Sequence, residues 1–179
     1  MFRRSVQRLL LPGMCLFVVS LFLSPSSASA LGPTCTVGPV AADYTTIQAA
    51  VDDVGCTTIN VAAGTYNEQV AVSRAVIING ANAGIAGNGV RGAESIVDGS
   101  NTSTPFVITA NDVTIDGFTV RNGSNGGYFS AVWSQTGTQN SVIKNNIITD
   151  NAIGVWAQCG GNCLIQANLF DANNDSGPS

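Results

Sequence analysis

A short pattern recurs at a nearly constant interval along the second half of the chain. Ala131-Val132-Trp133-Ser134-Gln135 returns as Gly154-Val155-Trp156-Ala157-Gln158, 23 positions later. Ile143-Lys144-Asn145-Asn146-Ile147-Ile148 returns as Ile165-Gln166-Ala167-Asn168-Leu169-Phe170, 22 positions later. An earlier copy, residues 113–120, is offset by 28 positions because of an inserted loop. Repetition at this interval is typical of solenoid architectures, in which each repeat packs only on its neighbours.

Each repeat alternates apolar and polar residues over about five positions and then breaks at Gly, Asn or Asp. This spacing predicts short strands and turns, and it is too short for pairs of helices. We therefore predict an all-β parallel solenoid in which equivalent residues of successive coils stack about 4.8 Å apart. The inward positions would be Val113, Ile115, Val120, Val132, Ile143, Ile148, Val155, Ile165 and Phe170.

Polar residues also repeat. Asn146 and Asn168 occupy equivalent turn positions and predict an asparagine ladder between coils; ordinary turn chemistry is the alternative. Asp116 and Lys144 share one repeat position, which predicts a surface ion pair.

One helical pattern precedes the coils. Ile47, Ala50, Val51 and Val54 follow the spacing of an amphipathic helix, with Asp43 or Thr45 as the cap at its start and Gly55 at its end. Such a helix would cover the open end of the solenoid. We assign residues 31–56 to this N-terminal cap, residues 57–179 to the coils, and residues 79–100 to one long loop between coils.

The first thirty residues have the order of a secretory signal peptide. Arg3, Arg4 and Arg8 precede an apolar stretch, and Ala28-Ser29-Ala30 fits a cleavage site. We predict that residues 1–30 are this signal peptide and that the protein is secreted, to the periplasm, the cell surface or the medium. An uncleaved membrane anchor is the alternative, and otherwise we expect no membrane association.

Four cysteines follow the predicted signal peptide: Cys35, Cys56, Cys159 and Cys163. An even number in an exported chain indicates two disulfides. Three pairings are possible, and proximity in the sequence favours Cys35–Cys56 and Cys159–Cys163. A metal site formed by all four thiolates is the alternative, which an oxidising compartment disfavours.

The composition excludes several kinds of function. The chain has no histidine, which excludes catalytic triads and zinc sites that depend on that residue. Beyond residue 31 there are four basic and eleven acidic residues, a balance that repels nucleic acid. We expect no metal and no cofactor.

The N-terminal region resembles a known group. Asp43-Tyr44-Thr45-Thr46-Ile47-Gln48-Ala49-Ala50-Val51, followed by Gly64-x-Tyr66-x-Glu68, is similar to the opening of pectinesterases. These enzymes belong to the right-handed parallel β-helix proteins of the pectin lyase-like superfamily. The resemblance covers about residues 42–175 and implies a right-handed β-helix that acts on carbohydrate.

The catalytic motifs of that family are absent. Ala131-Val132-Trp133 faintly resembles its Gln-Ala-Val motif, but Ser130 stands in the place of the glutamine, and no Gln-Asp-Thr follows. We therefore assign no catalytic residue. Asp112 with Asp116, and Asp150 with Asp171, are candidate carboxylate pairs of a glycosidase; a solvated acidic face is the alternative.

Two tryptophans suggest a binding surface. Alternation places Trp133, Trp156, Gln135 and Gln158 outward on one sheet, where aromatic rings and amides can bind sugars. Cover by the loop 123–129 is the alternative. We therefore expect a secreted protein that binds or processes polysaccharide; whether it is an esterase, lyase, glycosidase or no enzyme stays open.

Two other hypotheses concern the whole chain. It could be a non-enzymatic adhesion module, or the N-terminal part of a longer β-helix enzyme. Residues 175–179 read as a loop that leads into another coil, and no apolar segment follows to cover the last one. We therefore also expect end-to-end self-association at this end.

Overall fold

The structure is a computed structural model that describes residues 32–123 and 130–173. The predicted signal peptide and residues 175–179 lie outside the described residues. The helix α1 spans Ile47–Asp52. The strands are β1 (Thr34–Val37), β2 (Thr58–Val61), β3 (Gly64–Tyr66), β4 (Val70–Val72), β5 (Val76–Asn79), β6 (Ser95–Asp98), β7 (Phe106–Ile108), β8 (Val113–Asp116), β9 (Thr119–Arg121), β10 (Ser130–Ser134), β11 (Val142–Lys144), β12 (Ile147–Thr149), β13 (Ile153–Ala157), β14 (Leu164–Gln166) and β15 (Leu169–Asp171).

The strands form three parallel sheets that run along the solenoid. Sheet A has the order β1-β2-β5-β8-β11-β14, sheet B the order β3-β6-β9-β12-β15, and sheet C the order β4-β7-β10-β13. From β2 onward every third strand returns to the same sheet, so each coil contributes one strand to each sheet. The chain is therefore a right-handed parallel β-helix, which confirms the predicted fold class.

The register between coils follows the sequence repeats. Trp133 lies beside Trp156 on β10 and β13, and Ile143 lies beside Ile165 on β11 and β14. The asparagine ladder is also present: the Asn168 Oδ1 accepts hydrogen bonds from the Asn146 N–H at 2.9 Å and from its Nδ2 at 3.1 Å. The repeats therefore predict which residues stack.

The core fills the interior of the coils. Six of the nine predicted inward positions are almost completely buried: Val113, Ile115, Val120, Val132, Ile143 and Ile148. Val155 packs against this core and is partly buried. Ile165 is 44% exposed and Phe170 is 49% exposed, because no later coil among the described residues covers them.

The N-terminal end differs from the prediction in its details. Helix α1 begins after Thr46, whose Oγ1 accepts the Ala49 N–H, so neither Asp43 nor Thr45 is the cap. The Asp43 carboxylate instead accepts the backbone N–H and the hydroxyl of Thr36. The helix ends at Asp52 and Asp53 caps it, which leaves Val54 82% exposed rather than buried. Strand β1, inside the predicted cap, joins sheet A.

The assignment of residues 79–100 to one loop is wrong. Strand β6 lies within this segment and pairs with β3 and β9 in sheet B. The remaining loop, residues 80–94, runs across the turns of later coils. The Gly87 N–H donates to the Ala167 oxygen at 2.8 Å, and the Arg91 Nη1 donates to the Asn145 oxygen at 2.6 Å. This strap therefore ties early coils to the last described one.

Two disulfides, Cys35–Cys56 and Cys159–Cys163, are present in the structure. They are the pairing that proximity in the sequence favours. The first joins β1 to the segment after α1, and the second closes the turn between β13 and β14. Within residues 32–123 and 130–173, no helix is long and apolar enough to span a bilayer.

Candidate functional site

The outer face of sheet C carries an aromatic and amide surface without charged side chains. One row across its four strands consists of Ala71, Val107, Trp133 and Trp156. The next row is Ser73, Thr109, Gln135 and Gln158, and backbone hydrogen bonds continue the parallel pattern to it. We call these two rows the tryptophan face. The structure thus brings all four predicted carbohydrate-binding residues onto one surface.

The two tryptophans form a stacked pair. Their ring centroids are 5.8 Å apart and their planes differ by 25°. Offset stacking of this kind contributes about 0.5–1.5 kcal/mol beyond the burial of area. Both side chains are only partly buried, although the neighbouring Val132 is completely buried. The pair therefore supports the sheet and also presents aromatic surface to solvent.

The glutamines flank this pair. The Trp133 Nε1 donates to the Gln158 Oε1 at 3.1 Å. This hydrogen bond links β10 to the residue after β13, in addition to the stacking of the two rings. Gln158 is exposed and Gln135 is partly buried. A primary amide carries two donors and one acceptor group, so Gln158 retains hydrogen-bonding capacity beside the ring. The part of the loop that would cover this surface, residues 124–129, lies outside the described residues.

The Gly-x-Tyr-x-Glu motif has a structural role here. The Glu68 Oε1 accepts the Ile47 N–H at 2.8 Å, and its Oε2 accepts the Gln48 N–H at 3.0 Å. The carboxylate thus binds two backbone donors at the start of α1, which a helix leaves unpaired. The Tyr66 hydroxyl donates to the Ala62 oxygen at 2.9 Å. The motif therefore attaches the cap helix to the first coil.

Gln48 is a residue whose role the sequence does not reveal. Its Oε1 accepts the Ala71 N–H at 2.7 Å, and its Nε2 donates toward the Ala71 oxygen at 3.4 Å. These bonds pair the free edge of β4, the first strand of sheet C. The partner lies 23 residues away, so no local pattern could indicate this contact.

The candidate carboxylate pairs do not lie on the tryptophan face. Asp116 is 6% exposed and forms an ion pair with Lys144 at 3.3 Å, whereas Asp112 accepts a hydrogen bond from Asn140. The predicted ion pair is therefore present, with the Lys144 side chain 37% exposed and the Asp116 carboxylate nearly buried. The strap contacts this carboxylate, because the Gly84 N–H also donates to it. Asp171 lies opposite Thr149, beside Asp150, and both aspartates are exposed.

Two carboxylates near sheet B are held by basic and amide groups. Burial alone would raise the pKa of Asp98, but hydrogen bonds from Asn122, the Ser100 N–H and Arg121 lower it below its ordinary value. Burial would also raise the pKa of Glu94, but hydrogen bonds from Arg91 and its positive charge lower it below its ordinary value. Both groups stay ionised at neutral pH, so neither is suited to act as a general acid.

A cleft of about 460 Å³ lies on the outer side of sheet A, near the N-terminal end. Its polar side chains include Thr36, Asn60 and Asn79, and the Asn79 Nδ2 donates to the Asn60 Oδ1 at 3.1 Å. Among the residues that the structure describes, no titratable side chain lines this cleft. The part of the chain that the structure describes also contains no cluster of three or more Cys, Asp or Glu residues arranged to hold a metal ion.

Comparison with known proteins identifies the fold. No family model matches this chain, and no curated protein matches it in sequence. Two crystal structures of the pectin methylesterase from Aspergillus niger, in deglycosylated and penultimately deglycosylated form, do match. Each has a TM-score of 0.54 and 17% identity over 77% of this chain. The resemblance to pectin lyase-like β-helix proteins is thus confirmed for the fold. The chain spans 55% of the length of those esterase structures.

Proposed function

We propose that this protein is a secreted carbohydrate-binding β-helix whose contact surface is the tryptophan face. The observation that carries the proposal is the stacked pair of Trp133 and Trp156, with Gln158 bonded at its side. Partly exposed aromatic rings beside amide groups match sugars, which combine apolar C–H surfaces with hydroxyl groups. The fold shared with a pectin methylesterase supports carbohydrate as the class of ligand.

Secretion is supported by the chemistry of the chain. Both disulfides need an oxidising compartment to persist. The basic and apolar order of the first thirty residues is typical of export signals.

Binding is favoured over catalysis on this face. Its two rows contain no Asp, Glu, Lys or Arg, and the chain has no histidine. General acid–base chemistry therefore has no side chain to act through at the tryptophan face. The Ser130 that stands in place of the family's glutamine is completely buried, so a ligand on the outer face cannot reach it.

The experiment combines a glycan array with assays for release of reducing sugar and of methanol, all on the disulfide-bonded protein. We expect binding without release of either product. Trp133→Ala and Trp156→Ala should each weaken binding about tenfold or more, as for a central aromatic contact. The matched control is Leu164→Ala, because Leu164 is an exposed apolar residue of the same last coil on sheet A and is 44% exposed.

Three outcomes contradict the proposal. A wild-type protein that binds no glycan removes it. Equal loss of binding in Leu164→Ala would indicate a general effect on the last coil. Release of sugar or methanol would make the protein an enzyme with a reaction site away from the tryptophan face. Circular dichroism on each variant separates loss of binding from loss of folding.

A further inference from the structure

The three outer faces of the solenoid differ in charge. The outward column of sheet B contains Asp98, Arg121 and Asp171, and that of sheet A contains Asp116 and Lys144. The two rows of the tryptophan face contain none. Within the described part of the chain, charge is thus concentrated away from the aromatic pair.

The basic side chains are already engaged with the protein. Arg121 pairs with Asp98 at 2.8 Å and Lys144 with Asp116 at 3.3 Å. Arg91 pairs with Glu94 at 2.8 Å and is 5% exposed. Arg74 donates to the oxygens of Val51, Ala50 and Asp53, at the end of α1. Beyond residue 31 the sequence has no other Lys or Arg, so each basic side chain there already has a partner within the protein and none lies on the tryptophan face.

We propose that the tryptophan face binds neutral glycan chains and discriminates against polyuronates; this inference rests on the proposed function. A polyanion would meet an acidic protein, with four basic and eleven acidic residues beyond residue 31, and would find no basic side chain on the tryptophan face to form an ion pair. A neutral sugar needs only apolar contact and hydrogen bonds, which Trp133, Trp156 and the amides supply. The preference for neutral glycans therefore has two sources. The tryptophan face carries no charged side chain, and the rest of the protein carries an excess of negative charge.

The test uses one polymer backbone in two charge states. Homogalacturonan is prepared fully methyl-esterified and fully de-esterified, and a neutral galactan serves as the uncharged reference. At low salt we expect the wild-type protein to bind the esterified form roughly tenfold or more tightly than the de-esterified form. The difference should shrink as sodium chloride is added, because salt screens the repulsion. Binding to the neutral galactan should not depend on salt.

A charge variant makes the test specific to this face. Gln135→Lys should raise affinity for the de-esterified polymer roughly threefold, whereas Thr65→Lys should not. Thr65 is an exposed residue on the outer face of sheet B, so it adds the same charge elsewhere.

The outcomes are distinguishable. Equal or tighter binding of the de-esterified polymer by the wild-type protein overturns the charge inference and leaves carbohydrate binding intact. Equal gains from Gln135→Lys and Thr65→Lys would show that net charge, not this face, sets the preference, and would also overturn it. Failure to bind any of the three polymers or any arrayed glycan overturns the proposed function, and this inference with it.

Discussion

The two ends of the solenoid are built differently. At the N-terminal end, Ile47 and Ala50 are completely buried, β1 extends sheet A, and Gln48 pairs the free edge of sheet C. At the other end, Ile165 and Phe170 stay 44% and 49% exposed. The repeat supplies apolar residues at both ends. Helix α1, which is not part of the repeat, covers them at the N-terminal end, and no described element does so at the other end. Burial in this fold therefore depends on the element that packs against each coil, as in other repeat proteins.

The tryptophan face lies at the less covered end. Trp133 belongs to a well-buried coil, and Trp156 belongs to the last described coil. Their stacking and the bond from Trp133 to Gln158 connect these two coils. A ligand that contacts both rings would bind the ordered form of the last coil and stabilise it by mass action.

The largest expected difference between the coils comes from shortening Ile143 and Ile165, which lie side by side on β11 and β14. Ile143→Ala should lower the free energy of unfolding by about 2–5 kcal/mol, because Ile143 is 1% exposed. Ile165→Ala, its neighbour on β14, should cost at most about half of that, because the side chain is already 44% exposed. Urea unfolding of the two variants measures the difference. Equal losses would show that the last coil is as well packed as the previous one.

Removing each disulfide compares the same chemistry at the two ends. Cys35→Ser with Cys56→Ser opens a loop with a sequence separation of 21 and should cost roughly 3 kcal/mol. Cys159→Ser with Cys163→Ser opens one with a separation of 4 and should cost less, because a short loop has little closure entropy. Thermal unfolding without reductant ranks the two double variants. The reverse ranking would contradict the view that the N-terminal cap carries more stability.

The strap offers a way to weaken the last coil from a distance. A Cβ on Gly87 would collide with the Asn146 oxygen and the Leu169 nitrogen. Gly87→Val should therefore displace the strap and cost about 1–3 kcal/mol. Gly84→Ala controls for the loss of a glycine in the same loop, since a Cβ at Gly84 would meet no atom within 4 Å, although its φ of +81° favours glycine. A Gly87 variant as stable as the wild type would show that the strap does not hold the last coil.

The smallest effect concerns acid. Because the pKa of Asp98 is lowered in the folded protein, its contribution to stability is present above the ordinary value of about 4. It is lost as the pH falls through the lowered folded pKa. Asp98→Asn should therefore be less stable at pH 7 and should lose less stability than the wild type below about pH 4. Acid titrations of the two proteins, followed by circular dichroism, measure this loss of stability. Equal losses below about pH 4 would contradict the prediction.

The repeat predicts the register well because stacking reproduces the sequence offset. Trp133 with Trp156 and Asn146 with Asn168 follow directly from intervals of 23 and 22 residues. Strand β6 is not predictable in the same way, because Gly, Ala and Asn residues precede it and no repeat marks it. The contact of Gln48 with Ala71 depends on distant chain segments, so periodicity carries no information about it. The exposure of Val54 results from the end of α1, which an apolar spacing alone does not locate.

The most direct test of the account is hydrogen exchange, measured with and without a neutral polysaccharide that scores on the array. Without it, we expect residues 164–171 to exchange faster than residues 142–149, because no later coil among the described residues covers the former. With the polysaccharide, protection should rise in residues 130–134 and 153–158, the two chain segments that carry the tryptophans. It should stay unchanged in residues 95–98 and 119–121 of sheet B. Equal protection of the two coils in the free protein, or a ligand effect confined to sheet B, would contradict the account.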